Sequence, residues 1–378
     1  MKHFLPLPIT TLVLCLTSIS CIDVIDIGDD VPKDLLKVPT SFSNPKNDDE
    51  YFFNYRLTNF APDTEPFIKE TFGSLLTFEE IGFWEHTSYT SHVVGFTTNL
   101  PAVSIVEYGE TTDYGHTTAQ SESYFYQHLH YIRGLESGKT YHYRFIAKDC
   151  DGVTISSGDH TFTPKHLTAD IIRIPEDMEG DPPYVLTRNG GKYVITRDLS
   201  VPTMAINIKA DHIEIDLDGH TIIYDNVPSK VVGSGIYDEE ATFGIRAGLW
   251  NYNSAKIWNG IIKQGINGGS GVAGQGYNPI FLNHMGGQSY NEIAGITVDY
   301  YGGSIDGMTT GNGHTHHNVL YDRGSVIDDR HAAVRAMATR TQTSNPNNIF
   351  AFNSLRRFRH WGIGSTSGKV EHNELYSD

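Results

Sequence analysis

Asp211-His-Ile-Glu-Ile-Asp-Leu217, Asn253-Ser-Ala-Lys-Ile257, Asn291-Glu-Ile-Ala-Gly-Ile296, Asn318-Val-Leu-Tyr321, Asn348-Ile-Phe-Ala-Phe352 and Asn373-Glu-Leu-Tyr376 are the runs whose reading decides the fold. Each opens on Asp or Asn and continues in apolar residues, and the interval between openings shortens along the chain and then holds nearly steady from Asn291 onward. No helical period survives in them. Ile213, Ile215 and Leu217 alternate with polar residues, and Gly or Asn breaks each run before it reaches helix length. Short strands at a near-constant repeat predict a solenoid, in which the strands of one coil pair with those of the next and side chains stack ~4.8 Å apart. The two longest intervals hold the extra segments Asn226 to Thr242 and Gly265 to Pro279, read as loops thrown out of the coil.

An antiparallel sandwich also has many short strands. A repeated Asn at each strand entry favours the solenoid, because Asn tolerates a left-handed corner and its amide can bond to the coils above and below. This pattern resembles the right-handed parallel β-helix superfamily that holds pectate-lyase-like enzymes, over Pro183 to Asp378. The resemblance rests on repeat form and implies an all-β fold; it carries no catalytic signature.

Working outward, Met1-Lys-His and the apolar run Phe4 to Ser20 read as a secretory signal over residues 1–20. Ser18-Ile-Ser-Cys21 resembles a relaxed bacterial lipobox, so lipidation is expected at Cys21, in a secreted outer-membrane or cell-surface lipoprotein. Cys150 is then expected to stand without a partner. Residues 21–71 have tether composition, rich in Asp and Pro, and the acidic run after the cysteine resembles a surface-export signal of Bacteroidetes. Residues 72–164 alternate apolar and polar positions about turns. Leu135 before a turn, followed by Thr140 and Tyr141, resembles a fibronectin type III sandwich, in which the tyrosine hydroxyl bonds back to the corner. Its aromatics Tyr108, Tyr124, Tyr126, Tyr141 and Tyr143 suit a core better than a sugar platform, and its expected role is a spacer. Residues 165–182 read as a linker and 183–378 as the β-helix, with the segment from Tyr184 as its cap. The sequence stops a few residues into a new coil, which suggests a fragment of a longer, monomeric protein.

The formal charge of −17 argues against nucleic acid or an anionic membrane surface as partner, leaving the lipid anchor as the membrane contact. The charge is uneven. Between Gly313 and Trp361, Arg323, Arg330, Arg335, Arg340, Arg356, Arg357 and Arg359 face only Asp322, Asp328 and Asp329. An excess of the side chain whose planar fork matches carboxylates predicts an anionic polysaccharide as ligand. Counted from Asn318 and Asn348, the triplets Asp329-Arg330-His331 and Arg359-His360-Trp361 fall at equal offsets, so they are expected to stack. Arg330 and Arg359 would neutralise charge, His331 and His360 would move protons, and Arg335, Trp361, His317, Arg323 and Arg356 would hold the chain.

His314-Thr-His316-His317 makes a weak zinc signature without a nearby acid or Cys. Asp328, Asp329 and Asp306 offer oxygen ligands for a calcium ion (Ca2+). The expected chemistry is β-elimination on a uronic-acid glycan such as pectate, alginate, chondroitin, hyaluronan or ulvan. The alternatives are a glycoside hydrolase using Asp328 and Asp329, and a glycan-binding adhesin without chemistry.

Overall fold

The computed structural model describes residues 56–57, 73–121, 123–226, 245–247, 254–265, 279–282, 290–300, 308–310, 313–322, 335–338, 348–356, 361–364 and 368–376, and every element in them is a β-strand. From Ile171 onward the strands pair in parallel and fall into three columns, the arrangement of a parallel β-helix. The first column stacks Ile171–Ile174, Lys192–Ile195, Ile213–Asp216, the first halves of Ala255–Gln264 and Asn291–Tyr300, then Gly313–His316, Ile349–Ala351 and Lys369–Glu371. The second stacks Leu199–Ser200, Thr221–Tyr224, the second halves of the same two long strands, Val319–Asp322, Ser354–Arg356 and Glu374–Tyr376. The third runs from Tyr184–Leu186 through Ile206–Ile208, Ile245–Ala247, Ile280–Phe281, Met308–Thr309 and Arg335–Ala338 to Trp361–Gly364.

Alternation places every second residue inside. Tyr193, Ile215, Ile257, Ile293, Thr315, Phe350 and Val370 stand in register and are buried, as are Ile222, Ile262, Val298, Leu320 and Leu355 in the second column. Each such aliphatic side chain contributes ~1.5–3 kcal/mol on burial.

The asparagines form the ladder that the sequence suggested, at two corners rather than one. Between the first and second columns, Asn318 Nδ2 donates to Asn353 Oδ1 (3.0 Å) and Asn353 Nδ2 to Asn373 Oδ1 (2.8 Å), while the same oxygens accept backbone N–H groups. At the entry to the first column, Asn291 Oδ1 accepts from Ala255 N and Asn348 Oδ1 from Gly313 N. A left-handed residue stands just before each asparagine of the first of these corners, at His317, Phe352 and His372. Gly295 holds the same place one coil earlier, where Ile296 follows it and donates its N–H to Asn318 Oδ1.

The helix begins earlier than expected. Ile171–Ile174, inside the presumed linker, is already a first-column rung beneath Lys192–Ile195, so Tyr184 opens the third column rather than the cap. At the other end Arg56–Leu57, from the presumed tether, pairs in parallel with Glu374–Tyr376 and adds a rung to the second column.

Residues 73–164 form an antiparallel unit around one long strand, Ser91–Gly109. Its first half pairs with Trp84–Thr87 and Phe125–Arg133, its second with His116–Thr117 and Tyr141–Lys148. The Tyr141 hydroxyl accepts the Glu136 N–H at 3.1 Å, the corner bond expected of it. Tyr126, Tyr141 and Tyr143 are buried, as core residues should be. The expectation of a spacer fails. Trp84–Thr87, the turn after it and one face of Phe125–Arg133 lie along the β-helix and bond to several of its coils.

Candidate functional site

That contact is a polar zipper at the corner between the first and second columns. Asp218 sits in a corner longer than those of the following coils, with positive φ, and its carboxylate accepts the backbone N–H groups of Tyr89 and Thr90 and the hydroxyls of Thr90 and Ser91 at 2.8–3.1 Å. Burial, opposed by these bonds, raises its pKa. Asp216 accepts from Ser88 Oγ (2.7 Å) and pairs with His86 Nε2 (3.0 Å), and Asn259 donates to Ser88 and Ser91. Farther along, Trp84 lies over Gly295, where a Cβ would come within 2.6 Å of the indole. Trp258, His86, Trp84, His317, Phe352 and His372 then continue as a stack of rings with centroids 4.8–6.3 Å apart. This spacing follows the rise from coil to coil.

Two residues expected at a glycan surface are consumed by this seam, which corrects their assignment. His317 packs between Trp84 and Phe352, with Nε2 at 3.1 Å from the Gly82 carbonyl and Nδ1 at 2.8 Å from His316 Nδ1. Burial, with His316 beside it, drives its pKa down to about 3. Arg356 is 6% exposed, stacks on Phe125 and donates to Ser354 Oγ, Tyr321 OH and the Gln127 carbonyl. The buried Glu374, whose carboxyl burial pushes up and Arg356 pulls down, is its charge partner. Neither side chain can reach a polysaccharide.

The outward face of the first column is mixed in charge. Lys192, Glu214, Lys256, Glu292, His314, Ile349 and Lys369 stand in one row, and Asp216, Trp258, Ala294, His316, Ala351 and Glu371 in the next. The rings of His314 and His316 lie 4.1 Å apart, and burial and then His316 hold His314 down at about 4. His316 is also the main cause holding Glu292 below the ordinary carboxylate range, with Trp258 contributing less. Its Nε2 lies 3.8 Å from Glu292 Oε1, too long for a hydrogen bond, so the two groups interact through charge.

Arg330, His331, Arg359, His360, Arg323, Asp328, Asp329, Asp306 and Cys21 lie outside the described residues. Arg335 and Trp361 open neighbouring third-column strands and face each other in register. The expected register put His331, not Arg335, opposite Trp361. It slipped because Asn318 and Asn348 belong to different corners, Asn318 pairing with Asn353 and Asn348 with Gly313. Cys150, expected to be unpaired, is disulfide-bonded; the other two cysteines of the sequence, Cys15 and Cys21, lie outside the described residues.

Coil lengths locate the variable corners. Lys192 lies opposite Glu214 and Asn291 opposite Gly313, which are short steps along the chain, whereas Ile213 lies opposite Ala255 and His314 opposite Ile349, which are far longer ones. The excess enters between columns, in the third-to-first connections 248–254, 282–290 and 339–348 as well as in the second-to-third ones. Segments 225–244, 265–279, 301–307, 323–334 and 357–360 each join a second-column strand to a third-column strand, so they attach at the same corner of successive coils. The segment bearing Arg330 and His331 therefore attaches one coil from that bearing Arg359 and His360.

No protein family and no curated protein matches the sequence. Solved structures with some likeness are pectate lyase Pel3 from Pectobacterium carotovorum (10% identity, 77% of this chain and 90% of that one, TM-score 0.25) and pectate lyase PelI from Erwinia chrysanthemi. PelI appears in complex with tetragalacturonic acid (10%, 79% and 91%, 0.25) and in a second structure (12%, 80% and 100%, 0.24). With TM-scores this low the likeness adds nothing to the strand pairing on which the fold rests.

Proposed function

We propose that the protein binds a uronic-acid polysaccharide at the corner between the second and third columns and cleaves it by β-elimination. The observation that carries this reading is the arginine excess of residues 313–361, set on two consecutive coils whose arginine-bearing segments attach at one corner. With Arg356 consumed by the seam, six arginines of that stretch remain against three aspartates. Arg335 and Trp361 flank the corner on adjacent rungs.

β-Elimination needs the C5 carboxylate neutralised so that the C5 proton becomes removable, a base to take it, and an acid at the leaving O4. Arg330 or Arg359 serves the first need; of His331 and His360, one takes the C5 proton and the other gives a proton to the leaving O4. Asp328, Asp329 and Asp306 supply oxygen ligands if Ca2+ assists in place of one arginine. The same reading puts the protein outside the cell, anchored at Cys21. A thioether-linked Cys21 cannot also pair with Cys150, so the mass of the N-terminal peptide decides between lipid and disulfide.

The test is incubation with a panel of uronic-acid polysaccharides, followed in the ultraviolet band of unsaturated uronides. A rise in absorbance supports the lyase. Reducing ends without absorbance make it a hydrolase through Asp328 and Asp329, and binding without either makes it an adhesin.

A further inference from the structure

We propose that the segment around Arg56–Leu57 is a guard strand, filling an edge of the β-helix that would otherwise pair with a second copy of the chain. The edge is the side of Glu374–Tyr376 turned away from Ser354–Arg356. A strand open on one side presents a row of unpaired N–H and C=O groups, and such rows template pairing between molecules. Here Arg56–Leu57 lies along it in parallel, although it comes from the opposite end of the sequence. The Glu374 N–H donates backward to the Asn353 carbonyl at 2.8 Å, so alternation turns the Leu375 N–H toward the guard.

The two residues match their places. Leu57 stands opposite Leu375, which follows the buried Leu320 and Leu355 in the inward row of the second column. Arg56 stands opposite Glu374, which is 1% exposed and whose carboxylate accepts the N–H groups of Tyr126 and Gln127 and the Ser354 hydroxyl. Rungs are ~4.8 Å apart, so the register sets an aliphatic residue on an aliphatic row and a cation on the row of a buried anion. A slip by one residue would lose both matches.

The neighbouring edges show why this one needs a guard. In the first column no described strand lies beyond Lys369–Glu371, whose Lys369 and Glu371 put solvent-reaching charge on both sides of Val370, a device that blunts an edge. In the third column none lies beyond Trp361–Gly364, where Gly362 and Gly364 make a weak template. Glu374–Tyr376 has a single charged residue, Glu374, and the seam has consumed it. The guard is also held by connection. Residues 58–72 join it to the antiparallel unit, which already bonds to the same coil where Gln127 Nε2 donates to the His372 carbonyl (3.0 Å). A connection of that length can span up to roughly 50 Å, and a tethered strand acts at an effective concentration on the order of millimolar. A second copy at micromolar concentration does not displace it.

The test uses the whole chain carrying Arg56→Glu and Leu57→Asp together, which set a like charge on the row of Glu374 and a carboxylate on the leucine row without altering any coil. Hydrogen exchange at Leu375 should become at least ~10-fold faster than in the unaltered chain, while Glu374, bonded backward to Asn353, keeps its protection. Sedimentation should find the unaltered chain monomeric. The variant should self-associate with a dissociation constant on the order of 10–100 µM, as suits an interface below ~1,200 Å². Leu375→Pro added to the variant removes the donor on the open side and should return it to the monomer. Equal Leu375 exchange in both chains, loss of Glu374 protection along with that of Leu375, or a variant as monomeric as the unaltered chain would overturn the proposal.

Discussion

The two corners that flank the second column are built on opposite rules. Between the first and second columns, the coils from Ala255 onward turn tightly through a left-handed residue, and asparagine amides bond coil to coil. The antiparallel unit covers this side and pairs with its donors and acceptors. Between the second and third columns the connection varies from the short segment 357–360 to the long segment 225–244. A corner that must hold register cannot change length, because a one-residue slip turns the stack inside out. Register is held at the first corner, so the second is free to carry insertions and the residues set on them. Stability and function are thus expected to separate by side, and the separation can be broken experimentally.

The largest effect is expected at Asp218. Asp218→Ala removes a buried carboxylate that satisfies two backbone N–H groups and two hydroxyls of the turn Tyr89 to Ser91, and leaves those donors, at the buried Ser91, the half-buried Tyr89 and the exposed Thr90, without their acceptor. At ~1–3 kcal/mol for each hydrogen-bond partner left unsatisfied, with water able to reach those on Thr90, the loss should be ~3–5 kcal/mol. Denaturant unfolding of the whole chain measures it, and protease nicking between residues 80 and 92 should appear. A loss under ~1 kcal/mol would mean that the antiparallel unit is a detachable spacer after all.

Acid should loosen the same side. His130 is buried between the hydroxyls of Ser104 and Thr118, and burial, helped by Arg356, holds its pKa down from 6.5 to about 4. Below pH 6.5 the unfolded chain takes up a proton that the folded chain refuses. The stability present above pH 6.5 is therefore lost progressively as the pH falls toward 4. At ~1.4 kcal/mol per pH unit the loss is about 3 kcal/mol from this residue. Unfolding free energies measured at pH 7.5 and 4.5 should differ by at least this much, because His317 and His314 titrate in the same direction, and His130→Gln should reduce the difference by His130's share. An equal pH dependence in wild type and variant would remove His130 as its source.

Asn353→Ala comes next. It deletes the amide that links Asn318, Thr315 and Asn373, at an expected cost of about 2 kcal/mol, since each orphaned buried partner costs ~1–3 kcal/mol and a small void can admit water. The mixed set of asparagines is also where sequence reading reached its limit. Recurrent Asn before apolar runs disclosed the columns and the ladder, because both follow from local alternation and amide chemistry. It did not distinguish Asn318 from Asn348, which lie at different corners, because unequal insertions hide which residues share a coil. The arginine excess was legible as composition, but the fate of Arg356 and His317 was not. Their partners Gln127 and Gly82 stand far away in the chain, on a unit whose own alternation gives no sign of what covers it.

The smallest effect on stability, and the one that sharpens the comparison most, is expected from the arginines of the variable corner. Arg330→Ala and Arg359→Ala remove side chains from inserted segments that the ladder does not need, and each should change unfolding free energy by less than ~1 kcal/mol. If either guanidinium neutralises the uronate, its loss should nevertheless lower turnover by ~10²–10³-fold, the effect of removing one preorganised charge-stabilising donor. Lysine at the same position should restore only part of it, because a point charge does not reproduce the bidentate fork. Arg356→Lys supplies the contrast within the same stretch of sequence. Its guanidinium is committed to Tyr321, Ser354 and Gln127, so the variant should lose stability first and activity only in proportion. Arginines that split in this way, activity without stability at the variable corner and stability before activity at the seam, would establish the division of labour. Near wild-type turnover in both Arg330→Ala and Arg359→Ala would move the site along the same corner, to the segments 225–244 and 265–279.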